Sequence, residues 1–354
     1  MVKKFQLSNI ILFIILTLMC ACSSTPKEKG VHAQMFLKVP LDTIGAIECF
    51  AEGKHYGILP VTEQTFYPGD DSFHKMHHHG FALENKWMAY RLYFDKRQIV
   101  DIYAKKTPQL EIAQSLWYPN DEQLEAGFGD DILKVGSTIG VGAVRPYDYE
   151  KGKLVNMDKF VSRTQRIVSV ENDKAVAEID VKGLQIEDKV VELITRYTVF
   201  ADHRGLLCEV FSSDELKTLV TGVQYVGEPL TTQVATDEDI ILASWGTSWP
   251  VNDTIKYPME TVGLAVAVPK MYIGTEQHIA VNSLVSRDSD CSEKEDSYIF
   301  ADNLQILAPL VLTRLDNGQY YCQFQLTAMG LKENTPPATT PEEFFHSLTN
   351  KELW

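Results

Sequence analysis

The chain has 354 residues, 45% of them hydrophobic and 23% charged, a balance that supports a packed core. Its formal net charge of −15, with no run of basic residues, excludes a protein that tracks along nucleic acid, because such binding needs Lys and Arg to displace counterions. Length alone allows two domains, but large β folds often reach this size as one.

The chain opens MVKKFQLSNIILFIILTLMCACSS. Lys3 and Lys4, an apolar run from Ile10 to Met19 and small residues at Ala21, Cys22 and Ser23 have the charge, length and exit chemistry of a secretory signal. The apolar run is well short of the ~20 residues that a spanning helix needs. Met19-Cys20-Ala21-Cys22 resembles a bacterial lipobox, and Cys22 fits the lipidated position better than Cys20 because Ala21 is small. The expected organisation is a signal peptide over residues 1–21, a lipidated polar tether over 22–34, and one domain over 35–354. Lipid on Cys22 would hold an exported protein to a bacterial membrane.

The stretch HKMHHHG holds four of the nine histidines, His74, His77, His78 and His79. Together with Asp70 and Asp71 they offer metal ligands, although no HExxH is present, and a divalent metal is one reading of the cluster. Proton transfer is the preferred one, since imidazole titrates near neutrality and Glu84, Asp101 and Asp130 are available as partners.

WMAYRLYF and IVDIYAKK follow. Met88, Tyr90, Leu92, Phe94, Val100, Ile102 and Ala104 are apolar, whereas Arg91, Tyr93, Asp101, Tyr103 and Lys105 alternate with them. Strand side chains alternate faces, so each strand has an apolar and a polar side. A two-residue loop at Lys96-Arg97 would pair odd with even positions and demand positive φ from both residues. A three-residue loop pairs odd with odd and gathers the polar residues on one face. Tyrosine rings there suit sugar faces, and an arginine fork suits a carboxylate. A solvated outer sheet face would look the same in sequence.

Asp121 to Glu125 predicts a short helix. The glycine-rich GFGDDILKVGSTIGVGAVRPYD has Ile132 where a dinucleotide fingerprint requires a small residue, so its glycines serve turns and close approach. Hairpin strands flank Glu171-Asn172-Asp173, and further strand-like runs lie at 189–200, 218–226, 240–245, 262–268, 298–307 and 320–326. Trp245 and Trp249 offer either a stacking platform or a cover for the core. Thr340-Pro341-Glu342-Glu343 starts a C-terminal amphipathic helix with an N-cap, a first-turn proline and a capping-box glutamate. The fold class read from this rhythm is all-β, a large antiparallel β-sandwich with one C-terminal helix. Cys49, Cys208, Cys291 and Cys322 remain in the expected mature chain, and their pairing is not readable from sequence.

The block HHHGFALENKWMAYRLYFDKRQIVDIYAKKTPQLEI, followed by WYPNDEQLEAGFGDDILKVGSTIGVGAV, resembles a bacterial family of unknown function, the one numbered 4861. The likeness runs from about His74 to Ile194–Val199, with Ala104 where the family has glycine. It implies an exported protein of polysaccharide utilisation with a galactose-mutarotase-like supersandwich, and so a histidine acid facing a carboxylate base across a concave sheet. The combined expectation is an enzyme of mutarotase, isomerase or lyase type acting on a uronic-acid-containing oligosaccharide. Its catalytic residues would be His77, His79, Arg91, Asp101 and Tyr103. Tyr93, Lys105, Asp130, His78 and Glu84 would contact the sugar, and no cofactor is required. A non-catalytic sugar-binding lipoprotein is the alternative.

Overall fold

The computed structural model describes residues 29–274 and 300–354, apart from 52, 252, 253, 256, 302, 303, 351 and 352. The signal segment, Cys22, most of the tether and Cys291 lie outside these described residues. Val31–Val39 is already a strand, so residues 31–34, expected in the tether, belong to the folded sheet. Cys49, Cys208 and Cys322 are buried thiols without disulfides.

Two large antiparallel sheets pack face to face, the sandwich that the alternating pattern predicts. One has seven strands in the order Ile47–Ala51, Lys54–Pro60, Val31–Val39, Met76–Asn85, Met88–Tyr93, Val100–Ala104 and Asp130–Asp131. The larger sheet has Tyr320–Gly330 at its middle, between Glu260–Pro269 and Leu206–Ser212. It ends on Leu230–Ala235 at one side and Glu63–Phe66 at the other. A small third sheet joins Arg145–Asp148, Leu219–Gln224 and Gln305–Pro309.

The even residues Met88, Tyr90, Leu92, Val100 and Ile102 enter the main core with Phe81, Tyr197 and Leu206. Each large apolar side chain fully buried in this way contributes roughly 1.5–3 kcal/mol. The opposite face of the same strands is also buried, under residues 105–131, where Tyr103, Ala82 and Ala89 pack on Ile112 and Trp117. The short helices Ser72–Lys75 and Ile112–Ser115 were not predicted; Asp121–Glu125 was.

The C-terminal helix Pro341–Thr349 starts as expected, with the Thr340 side chain accepting from the Glu343 amide. The Glu343 carboxylate accepts from the amide and hydroxyl of Thr339, both at 2.8 Å. Phe344 docks on Trp245, so that tryptophan covers core, while Trp249 stays partly exposed.

Candidate functional site

The hairpin pairs Arg91 with Asp101 and Ala89 with Tyr103, odd with odd as predicted. Its loop is longer than three residues, because pairing resumes only where the Tyr93 amide donates to the Ile99 carbonyl. Asp95 holds that loop, accepting from the amides of Arg97 at 2.7 Å and Gln98 at 3.1 Å.

The polar row is gathered on one face, but that face is not open. Arg91 is 4% exposed and Asp101 0%. The Arg91 guanidinium donates to Asp101, to Asp131 at 2.8 Å and to the hydroxyls of Tyr93 at 2.9 Å and Tyr118 at 3.3 Å. It also lies 4.7 Å above the Trp117 ring. Burial, and then Asp101, push the Asp131 carboxyl up to about 7. Burial followed by Glu111 raises the Tyr103 phenol, which therefore stays protonated.

Lys105 donates to Glu84 at 2.6 Å and to the carbonyls of Asn85 and Gln109. The same Glu84 oxygen accepts from the amides of Glu111 and Ile112. Asp130 is bound by Lys332. Arg91, Asp101, Tyr103, Lys105, Glu84 and Asp130, expected to meet a sugar, thus tie residues 105–131 and the C-terminal region onto the sheet.

The three consecutive histidines are held in the same internal manner. His78 and His79 have φ of 40° and 67°, so the strand bulges and its alternation breaks there. His77 and His78 consequently lie together, 4.9 Å between ring centroids, instead of His77 with His79. The Leu116 carbonyl only accepts, so His77 Nε2–H donates to it at 2.8 Å and Nδ1 accepts from Tyr56. Burial first, and then the nearby Arg91 guanidinium, hold the His78 pKa well below its ordinary value. His79 donates from Nδ1 to the Phe73 carbonyl and stacks on the Phe73 ring at 3.8 Å. Among the described residues no three His, Cys, Asp or Glu side chains converge as a metal site.

The cavity lies beside this cluster, at the turn end of the hairpin. It has a volume of about 930 Å³ and is lined by residues 66–74 and 95–97, by Arg145, and by alternate residues of a further segment that include Asn156, Asp158, Phe160 and Arg163. Tyr67-Pro68-Gly69-Asp70 turns the chain into it, with Pro at the second position, Gly69 at φ 93° and the Asp70 amide bonded to the Tyr67 carbonyl. Asp71 then caps the helix Ser72–Lys75 and accepts from His74 Nδ1 at 2.8 Å. That bond lowers the Asp71 pKa and leaves an imidazole 69% exposed at the mouth. Phe66, Tyr67, Phe73 and Phe160 supply aromatic surface. Arg97 is committed to Asp95, whereas Arg145 and Arg163 form no ion pair with a carboxylate among the described residues.

Of the cavity's chemistry, the sequence reading had included only His74, Asp70 and Asp71, as ligands of a metal. Arg145 lies near the end of the glycine-rich stretch, and Arg163 lies at the start of the strand Ser162–Val170. Only the pairing of sheets brings them together, and no local signal in one sequence does that.

Residues 38–305 match the family described as Domain of unknown function (DUF4861), and the chain belongs to that family. No curated protein matches the chain. A solved structure designated a kojibiose phosphorylase, from the human microbiome, is similar at 11% identity with a TM-score of 0.42. The likeness covers 82% of this chain and 35% of that one, so this chain spans about a third of that neighbour's length.

Proposed function

We propose that the protein is an exported lipoprotein acting on a uronic-acid-containing oligosaccharide by acid/base chemistry, in the cavity at His74 rather than on the buried face of the hairpin. The observation that carries this reading is the His74–Asp71 pair at the mouth of a cavity walled by aromatic rings. Asp71 fixes the Nδ1–H tautomer and leaves Nε2 to take a proton from a sugar carbon or hydroxyl and return it. Tyr67, Phe73 and Phe160 give apolar surfaces on which a pyranose ring can lie. Export and lipid attachment at Cys22 rest on the N-terminal sequence, and an oligosaccharide is the ligand that both the cavity and the family resemblance favour. Binding without turnover is the second reading, favoured by two arginines that need no tuned imidazole to hold an anion.

The test is NMR of the full-length protein with uronic and neutral oligosaccharides, with and without chelator. New sugar signals or faster anomer exchange should disappear in His74→Gln while the fold persists. Arg91→Met, which strands the buried Asp101 carboxylate, should lower stability by about 3–5 kcal/mol yet leave turnover per folded molecule nearly intact. Undiminished turnover in His74→Gln would sink the proposed chemistry.

A further inference from the structure

Arg145 and Arg163 are each 3% exposed, yet both line the cavity. Their hydrogen bonds go to neutral oxygens. Arg145 donates to the carbonyls of Ser137, Thr138 and Val155 and to Asn156 Oδ1 at 2.9 Å. Arg163 donates to the Met157 carbonyl and lies 4.3 Å from the Phe160 ring centroid. The Nε of each is buried without a partner. Asp95, the carboxylate whose charge reaches both, is already bound by Arg97 and by the hairpin amides. Asp158 also lines the cavity and its charge reaches Arg163, but the two form no ion pair among the described residues. Burial pulls both guanidinium pKa values down to about 10, which still leaves them protonated at neutral pH.

A buried cation with no ion-pair partner is destabilising, and holding backbone carbonyls would need only neutral donors. Two such cations on one cavity wall, in a chain of net charge −15, need another explanation. We infer that Arg145 and Arg163 form an oxyanion seat that binds the carboxylate of the sugar ligand and selects acidic over neutral sugars. The inference rests on the cavity being the ligand site, as proposed above, but not on catalysis there. Arg145 spends its terminal N–H groups on backbone carbonyls and on Asn156 and so supplies charge, whereas the Arg163 fork, bound only to the Met157 carbonyl and set against the Phe160 ring, is the planar donor that matches a carboxylate.

The experiment is calorimetric titration of the full-length protein with a galacturonate oligosaccharide, its neutral galactose counterpart, galactose 6-phosphate and inorganic phosphate. The uronic sugar should bind at least about tenfold more tightly than the neutral one, about 1.4 kcal/mol. Arg145→Gln and Arg163→Gln should each remove most of that preference while neutral binding and the circular dichroism spectrum hold. Arg163→Lys, which keeps charge without the fork, should fall between. Equal affinity for acidic and neutral sugars, or no heat from any anion at millimolar concentration, would overturn the seat. Tighter binding of the phosphate ester than of the uronic sugar would overturn the carboxylate assignment. If either Gln variant fails to fold, the Lys variant and the ligand comparison on the unaltered protein still decide. Selective uronate binding without turnover would retain the seat and remove the proposed catalysis, whereas turnover without acidic preference would do the reverse.

Discussion

A guanidinium shared by one buried and one partly buried carboxylate leaves one negative charge over, and the Arg91 cluster resolves that by keeping a proton on the pair. Asp131 is the member pushed up, to about 7, against an ordinary value of 3.8. The folded state therefore holds this proton more tightly than the unfolded chain, and folding takes up a proton between those values. The resulting stabilisation is fully present below about pH 4 and is lost as pH rises through about 7. Asp131→Asn keeps the shape, leaves Arg91 and Asp101 as a one-to-one pair, and removes the titration. Urea midpoints at pH 5 and pH 8 should show the unaltered protein losing roughly 1–3 kcal/mol more than Asp131→Asn over that interval. Identical pH slopes would place the shared proton elsewhere.

Alternation along Met88–Tyr93 and Val100–Ala104 was legible because strand geometry forces it, and it gave the odd-with-odd pairing of Arg91 and Asp101. What covers the polar side was not legible. Charged residues on alternate positions look the same whether water, a sugar or residues 105–131 lie over them. The histidines misled for a related reason: no period describes a bulge, so His77, His78 and His79 could not be assigned to faces from spacing. Gly80 closes that bulge, and an added Cβ would stand 1.8 Å from the Leu92 carbonyl oxygen. Gly80→Ala should therefore shift backbone on both strands and cost roughly 2 kcal/mol or more. Gly318→Ala is the comparison: φ is 88° there but nothing lies within 4 Å, so only the backbone cost of about 1–2 kcal/mol applies. Thermal melts of the two variants separate the effects, and a Gly80→Ala melt no lower than that of Gly318→Ala would mean that the bulge rearranges freely.

Strands far apart in the chain share the large sheet. Glu63–Phe66 closes one edge of the large sheet against Ser162–Val170, while Tyr320–Gly330 fills its centre. Side chains cross between layers as well: Tyr90 donates to the Arg204 carbonyl, Arg204 forks onto Glu333, and Lys332 binds Asp130. Such closure was beyond the sequence, which showed strands in order but not their partners. Neither sheet can keep its core face covered if the other opens, so the two should unfold together. Trp117 reports on the layer over the seven-stranded sheet and Trp245 on the large sheet beneath the C-terminal helix. Tryptophan fluorescence and far-ultraviolet circular dichroism should then give one urea midpoint, even at a size where separate domains often melt apart. Two midpoints, with circular dichroism retained after the Trp117 signal is lost, would make residues 105–131 a locally unfolding cover, and the buried Arg91 face would then become reachable by ligand after all.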